Sequence, residues 1–123
     1  MWTLIKLQLV CLLFSSGGEE VNKEVVQASY YADKFQGRQT ASSDIYTHDK
    51  LTGASNVYDL GDSVEVCNTD NGKCVIIEIN DRIHPRFRHR VDLTPRAFKA
   101  IGELDKGILN VETRKINNNE GQF

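Results

Sequence analysis

Asp81 stands at a point in the sequence where a carboxyl group could act as a general acid. It closely follows residues 75–79, an apolar, β-branched segment that is typical of a buried strand. A carboxyl group at the end of such a strand meets low-dielectric surroundings, which favour its protonated form and keep a proton available for transfer. Arg82 is its neighbour and would oppose this effect if the two side chains paired. The structural alternative is that Asp81 accepts backbone N–H bonds and ties down a loop.

Histidine and cysteine, the usual ligands of zinc, do not occur at metal-site spacings in this chain. His48, His84 and His89 form no recognisable pattern with Cys67 and Cys74. The chain also has no glycine-rich phosphate loop and no nucleophile motif with a base beside it. We therefore predict neither a metal site nor a cofactor.

The sequence pattern places four strands and one helix around these residues. Alternating or β-branched segments predict strands at residues 25–31, 63–68, 74–80 and 108–116. Thr94 and Pro95 suit the cap and first position of a helix that stops at Gly102. Residues 32–62 and 81–90 lack periodicity, and loops of that length in a compact domain are usually functional. This pattern indicates a mainly β fold, a small barrel, without choosing its topology.

The two cysteines of the predicted domain flank residues 69–73, a turn sequence between two predicted strands. A loop centred between Asp70 and Asn71 places Cys67 directly opposite Cys74, where a disulfide can form. A two-residue turn that began at Asn71 would offset them. We predict the disulfide, which would stabilise the fold by about 2 kcal/mol for so short a loop. The alternative is a pair of free, buried thiols.

Residues 1–18 are typical of an export signal. Lys6 supplies the positive charge, residues 7–14 are mostly apolar, and small residues follow. The apolar run is too short for a transmembrane helix, and the alternative is a buried strand or helix. Lipidation of Cys11 would require a small residue before it, where Val10 stands, so we do not expect a lipid anchor. We predict an exported protein of the periplasm, cell envelope or medium.

The length of the chain indicates a single domain. The 123 residues carry a formal net charge of −2, which argues against a nucleic-acid partner because phosphate binding requires a positive surface. We expect a leader at residues 19–24, a domain at residues 25–116 and a polar tail at residues 117–123. We further expect a monomer.

Short segments along residues 25–116 resemble, in order and spacing, the motifs of the rare lipoprotein A family. ASYY (28–31) resembles ASWYG, FQGRQTAS (35–42) resembles FHGRKTASG, LTGA (51–54) continuing to LG (60–61) resembles LTAAHKTLPLG, INDR (79–82) resembles INDRGP, and RVDLT (90–94) resembles RIIDLS. The resemblance implies a six-stranded double-psi β-barrel. It also implies a lytic transglycosylase that acts on the MurNAc–GlcNAc strands of peptidoglycan and forms a 1,6-anhydro product.

The resemblance implies that Asp81 and Asp44 are the catalytic residues. The family's matching aspartate is tied to catalysis, so Asp81 would be the acid. Asp44 falls where the family usually has glutamate, and the lost methylene shortens its reach. The alternative is that Asp44 is an acidic residue of an exposed loop without a catalytic role.

Four further residues are expected to contact the glycan: Tyr31, Ser55, Arg82 and His84. Ser55 falls where the family generally has histidine, and serine can hydrogen-bond a sugar but cannot readily act as a base near neutral pH. His84 could take over from the missing imidazole; otherwise it is a loop histidine. Tyr31 could stack on a sugar face.

The basic residues from 82 to 90 could face carboxylates of peptidoglycan stem peptides, or they form a solvated loop. Two other functions stay open beside catalysis. One is a glycan-binding barrel without turnover, of expansin- or barwin-like type, which the loss of histidine at Ser55 favours. The other is a secreted interaction or defence protein on the same barrel.

Overall fold

A computed structural model of the protein describes residues 23–117. The predicted signal peptide at residues 1–18, Cys11, most of the leader and nearly all of the polar tail lie outside the described residues. Within the described part of the chain no helix is long and apolar enough to cross a membrane.

Six strands and one α-helix make up the described domain. The strands are β1 (Lys23–Tyr30), β2 (Thr52–Ala54), β3 (Ser63–Asn68), β4 (Cys74–Asp81), β5 (Arg90–Leu93) and β6 (Leu109–Lys115). Helix α1 (Pro95–Ile101) follows β5, and short 3-10 turns occupy Asp33–Phe35 and Leu104–Lys106. The predicted positions of the four long strands and of the helix are confirmed to within one or two residues.

The strands close into a barrel in the order β1-β5-β2-β4-β3-β6. Strands β1 and β5 are parallel, as are β2 and β4, and the other neighbouring pairs are antiparallel. The barrel is filled by alternate, inward-facing side chains of the strands and by one face of α1. The closed barrel of six strands with one helix confirms the fold that the motifs implied.

The periodicity of the sequence did not predict two of the six strands. β2 has three residues and β5 has four, so neither offers enough positions for an alternating pattern to be recognised. The segments 32–62 and 81–90 are therefore not loops throughout, because β2 lies within the first and β5 begins at Arg90, the end of the second. Asp81 is the last residue of β4, which confirms its expected position at a strand end.

The predicted disulfide between Cys67 and Cys74 is present. The backbone N–H of Asn68 donates to the carbonyl of Lys73 at 2.8 Å. The next pair along the ladder is therefore non-hydrogen-bonded, and it joins Cys67 to Cys74 with a Cα–Cα distance of 4.0 Å. The loop centred between Asp70 and Asn71, and not the offset two-residue turn, is the one that forms.

A second, smaller apolar cluster anchors the long segment between β1 and β2. Tyr31, Tyr46 and Ala54 are buried together, and Phe35 and Ile83 pack against them. Tyr31 follows β1, Ala54 ends β2 and Ile83 follows β4. This cluster holds the loops against the ends of three strands, and these loops carry the candidate site.

Candidate active site

The candidate site lies on a row of residues that crosses four neighbouring strands. Asp81 of β4 is paired with Ala54 of β2, Ala54 with Asp92 of β5, and Asp92 with Ser29 of β1. Directly paired residues on neighbouring strands point to the same face of a sheet. Ala54 packs in the second cluster and not in the barrel core, so this row faces away from the core and toward the loops.

Three donors hold the carboxyl group of Asp81. The hydroxyl of Tyr31 donates to Oδ2 at 2.8 Å. The backbone N–H groups of Ala41 and Arg82 both donate to Oδ1 at 2.9 Å. Asp81 therefore accepts backbone N–H bonds that anchor a loop, which is the structural role considered for it as the alternative to catalysis. Its half-buried carboxyl group is also fixed in one orientation, which a positioned acid requires.

Tyr31 is the buried donor of this arrangement. The residue is 8% exposed. Burial, and then the hydrogen bond to the Asp81 carboxyl, raise the pKa of the Tyr31 phenol far above its usual value. The phenol therefore keeps its proton near neutral pH and stays a donor to Asp81. This buried ring is stacked on Tyr46, with ring centroids 4.2 Å apart, and that face is not open to a sugar.

Asp44 reaches the same strand end from a turn in the long loop. The backbone N–H of Ser42 donates to the carbonyl of Asn80 at 3.1 Å, which docks the turn on β4. Oδ2 of Asp44 then accepts from the Asn80 amide at 3.3 Å and from the Ser42 hydroxyl at 3.1 Å. One predicted catalytic carboxylate, that of Asp44, is thus hydrogen-bonded to Asn80. The other belongs to Asp81, the next residue of the same strand.

Ser43 gives this turn its shape. Its φ angle is +72°, in the left-handed region that favours glycine. Glycine occupies the matching place in the TASG motif that this segment resembles, whereas the chain has serine there. The turn that presents Asp44 is therefore formed at a cost in backbone energy.

Ser55 does not face solvent. It is 3% exposed, and its hydroxyl oxygen accepts from the backbone N–H groups of Val57 at 3.0 Å and Tyr58 at 3.4 Å. Its own N–H donates to the carbonyl of Asp81 at 3.1 Å. Ser55 therefore shapes the loop after β2 beside Asp81, and its hydroxyl is not presented as a sugar contact.

Arg82 supports the same loop. Its guanidinium group donates to the carbonyl of Ser55 at 2.6 Å and also to the carbonyl of Tyr58. These bonds draw the guanidinium toward the loop, and among the described residues the guanidinium forms no hydrogen bond or ion pair with the Asp81 carboxyl, which accepts from Arg82 only through the backbone N–H. The side-chain pairing of Arg82 with Asp81 is therefore not made.

His84 is exposed, at the start of the loop between β4 and β5. Its Nδ1 accepts from the backbone N–H of Arg86 at 3.2 Å, and its carbonyl accepts from the Asn56 amide at 3.0 Å. Among the described residues its Nε2 has no hydrogen-bond partner. The imidazole is therefore committed on one side to its own loop.

Two groups near the site were not found from the sequence. Asn80 is 3% exposed; its side-chain N–H donates to Asp44, while its buried Oδ1 has no partner among the described residues. Tyr46 is 2% exposed, and its hydroxyl lies 2.9 Å from Nδ1 of His48. Nε2 of His48 lies 3.1 Å from Oδ1 of Asp33. No local motif signals this set, because its members meet only when the loop folds back on itself.

One group of potential metal ligands occurs among the described residues. The ligand atoms of Glu65, Cys67 and Cys74 lie within 4.8 Å of one another. The two sulfurs are joined in the disulfide, so they offer no thiolates. Glu65 is paired with Arg114 at 3.0 Å. This donor set does not suit a metal ion.

Comparisons with known proteins agree on a family. Residues 23–113 match a protein-family model described as a lytic transglycolase, a double-psi β-barrel. The probable endolytic peptidoglycan transglycosylase RlpA of Treponema pallidum (strain Nichols) is 38% identical over 110 residues, which are 89% of this chain and 34% of that protein. The endolytic peptidoglycan transglycosylase RlpA of Pseudomonas aeruginosa (strain UCBPP-PA14) is 39% identical over 90 residues, 72% of this chain and 26% of that protein. The chain thus spans about a third or less of the length of these relatives.

Solved structures agree on the fold. A Streptomyces papain inhibitor superimposes with a TM-score of 0.66 and 22% identity, covering 79% of this chain and 96% of that one. An expansin of Clavibacter michiganensis, in complex with cellohexaose, gives a TM-score of 0.62 and 17% identity, covering 78% of this chain and 51% of that one. At these identities the likeness concerns the barrel alone.

Proposed function

The chain belongs to the lytic transglycolase family of double-psi β-barrels, and on that premise we propose that it is an endolytic peptidoglycan lytic transglycosylase. Its substrate would be the MurNAc–GlcNAc strand, as the names of its curated relatives suggest. The observation that carries the proposal is the Asp81 carboxyl group, held at a strand end by three donors, at the position where the family motif has its catalytic aspartate.

The reaction needs one group that serves first as acid and then as base. Protonated Asp81 gives its proton to the glycosidic oxygen as the bond from the anomeric carbon of MurNAc breaks. The Asp81 carboxylate then takes the proton of the C6 hydroxyl of the same sugar, and that oxygen bonds to the anomeric carbon. The products are a 1,6-anhydro end and a free GlcNAc hydroxyl, and no water is consumed. A second hydrolase-type carboxylate is therefore not required.

Asp44 is the supporting carboxylate of this proposal. It is exposed, and the Asn80 amide and the Ser42 hydroxyl hold its Oδ2. A negative charge next to the cleavage point favours the positive charge that develops on the sugar ring during bond breaking. Because it is one methylene shorter than the family's glutamate, its distance from the sugar depends on the turn at Ser43.

The glycan contacts follow from exposure. His84 and Arg82 are exposed residues beside Asp81, and they are the proposed contacts from the loop between β4 and β5. Tyr31 acts on the substrate through Asp81, and Ser55 acts by shaping its loop.

We place the protein outside the cytoplasm, in the cell envelope, periplasm or medium, where its substrate occurs, and we propose that it works as a monomer without a cofactor.

A second candidate function is a barrel that holds glycan without cutting it. The observation that favours it is Ser55. The imidazole that the family generally has at this position is missing, and the serine hydroxyl is bonded into its own loop.

The deciding experiment uses the purified protein, with its disulfide intact, on peptidoglycan sacculi and on sacculi stripped of stem peptides. Mass spectrometry reads the soluble products, and Asp81→Asn is the matched variant. Anhydro-muropeptides or anhydro-glycans that disappear in Asp81→Asn are the expected result. If both proteins bind peptidoglycan and neither releases a product, the proposed transglycosylase activity is contradicted and the glycan-binding function is supported.

A further inference from the structure

His48 is an imidazole near the site that the proposed reaction does not use. Its backbone is fixed on two sides: its N–H donates to the Gln36 side chain at 2.9 Å, and its carbonyl accepts from the N–H of Arg96, in α1, at 3.2 Å. The imidazole is 26% exposed and lies between an exposed carboxylate, Asp33, and a buried phenol, Tyr46.

The protons of this set can be assigned from the partners. Burial, and then the charges of Asp33 and Asp92, raise the pKa of the Tyr46 phenol above its usual value. The phenol therefore keeps its proton, and we assign its O–H as the donor to Nδ1 of His48, 2.9 Å away. Under this assignment the hydrogen of the imidazole lies on Nε2, which faces Oδ1 of Asp33 at 3.1 Å. Each of the three groups then has a matched partner.

Such a carboxylate–imidazole–hydroxyl chain activates a nucleophile in other enzymes, but it does not do so here. Tyr46 is only 2% exposed, so its oxygen cannot reach a glycan. What its ring does reach is Tyr31. The two rings are stacked with centroids 4.2 Å apart and planes at 28°, and Phe35 makes an edge-to-face contact with Tyr31, with centroids 5.7 Å apart.

Continuous contact therefore joins His48 to the acid of the proposed reaction. His48 holds the Tyr46 hydroxyl, the Tyr46 ring fixes the plane of Tyr31, and the Tyr31 hydroxyl donates to Oδ2 of Asp81 at 2.8 Å. A rotation of Tyr46 about its side-chain bonds would move the face on which Tyr31 rests. The direction of the Tyr31 hydroxyl would then change.

We propose that His48 is a positioning residue for catalysis, which acts through Tyr46 and Tyr31 to orient the Asp81 carboxyl group. The inference rests on the proposed function, because it gives His48 a role in a reaction that Asp81 performs. The chain has no imidazole at position 55, and His48 would give an imidazole a different role in the reaction. His48 contacts Tyr46 and does not contact Asp81 directly.

The test compares kcat and KM on soluble, peptide-free glycan strands for His48→Ala, Tyr46→Phe and the double variant. Misorientation of a catalytic group lowers the rate more than substrate binding. We expect kcat to fall about tenfold in each single variant, with KM changed less than about twofold. Both variants break the same link, so the double variant should lose no more than either one. His48→Asn should recover much of kcat, because its side-chain oxygen can accept from Tyr46.

Tyr58→Phe is the matched control for Tyr46→Phe. It removes a phenol hydroxyl that is hydrogen-bonded to Thr113 at 2.9 Å, on a ring that packs against the barrel core. Its kcat should equal that of the wild type. Thermal unfolding of every variant identifies any that are not folded, and His48→Asn then carries the comparison.

The outcomes separate this inference from the function on which it rests. An active wild type with unchanged kcat in His48→Ala, or equal losses in Tyr46→Phe and Tyr58→Phe, overturns the positioning role alone. A loss confined to KM also overturns it, since it would mean that His48 contacts the glycan. A wild type that forms no anhydro product overturns the proposed function and the positioning role together.

Discussion

The hydroxyl of Tyr31 donates to Oδ2 of Asp81 at 2.8 Å, across 50 residues of sequence. Oδ1 of the same carboxyl group accepts two backbone N–H bonds. The two oxygens are thus held by different kinds of donor: fixed backbone on one side and a buried phenol on the other. Tyr31 is therefore the one of the three donors that a side-chain substitution can remove.

Replacing Tyr31 with phenylalanine tests the importance of this bond. The variant keeps the ring and its stacking on Tyr46 and loses only the donor to Asp81. Asp81 becomes a carboxylate as it gives up its proton, and a hydrogen bond to a charged group contributes about 1.5–3 kcal/mol, so we expect kcat to fall by about 10- to 100-fold with glycan binding retained. Steady-state kinetics and co-sedimentation with sacculi measure the two quantities. Weaker binding with an unchanged kcat would contradict the assignment of Tyr31 to the acid.

Alkaline pH should destabilise the protein through its buried tyrosines. The pKa of the Tyr31 phenol is raised in the folded state, so the folded state favours the protonated phenol. Its contribution to stability is complete below the unfolded-state pKa of about 10 and is lost as pH rises above it. Tyr31 alone should lower the free energy of unfolding by about 1 kcal/mol between pH 9 and pH 11.

Urea unfolding of the wild type and of Tyr31→Phe across this pH range isolates the effect of Tyr31. Lysines and the other tyrosines titrate in both proteins, so the difference between their slopes belongs to Tyr31. A shallower decline in the variant is expected. Parallel declines would mean that the Tyr31 phenol ionises as readily in the folded protein as in the unfolded chain.

The sequence predicts the part of the fold that is built from local pattern. Strand β3 (Ser63–Asn68) was predicted with its observed bounds, because Val64 and Val66 alternate with outward-facing residues and a strong turn follows. The turn also predicted the pairing of Cys67 with Cys74. Strands of three or four residues carry too little pattern, so β2 and β5 needed the family motifs.

The site depends on contacts between distant residues, which local pattern does not carry. The motifs implied that Asp44 and Asp81 act together, and the Asn80 amide now gives a physical link between them. Nothing in the sequence signals that the Ser55 hydroxyl turns into its own loop. The position alone suggested a sugar contact, while burial and two backbone donors decide its orientation.

The strained turn before Asp44 predicts a stabilising substitution. Ser43 has a φ angle of +72°, and glycine adopts this conformation without the steric cost that serine carries. Ser43→Gly should raise the free energy of unfolding by about 0.5–1 kcal/mol, less the greater freedom of glycine in the unfolded chain. Chemical denaturation measures this change. Ser43→Ala is the control and should give no gain, because alanine meets the same strain; a glycine variant less stable than the wild type would contradict the prediction.

The basic loop between β4 and β5 predicts a substrate preference. Arg86 and Arg88 are exposed, and neither forms an ion pair within residues 23–117. Phe87, between them, is packed under the Arg86 guanidinium at 4.8 Å and that of Arg90 at 4.9 Å, and Arg90 is itself bonded to Ser29. The loop is therefore braced, with two positive charges directed to solvent a few residues from Asp81.

Carboxylates of stem peptides are the anions of peptidoglycan that such charges would attract. The double substitution Arg86→Gln, Arg88→Gln should weaken binding to intact sacculi by about threefold, since exposed charge pairs contribute about 0.2–1 kcal/mol each. Binding to peptide-stripped sacculi should not change, and added salt should abolish the difference between the two proteins. The control is Lys99→Gln, Lys106→Gln, which removes the same charge from α1 and the 3-10 turn after it. Equal losses on both substrates would mean that the arginines contact the glycan itself, whereas equal losses in both double variants would mean that only net charge matters.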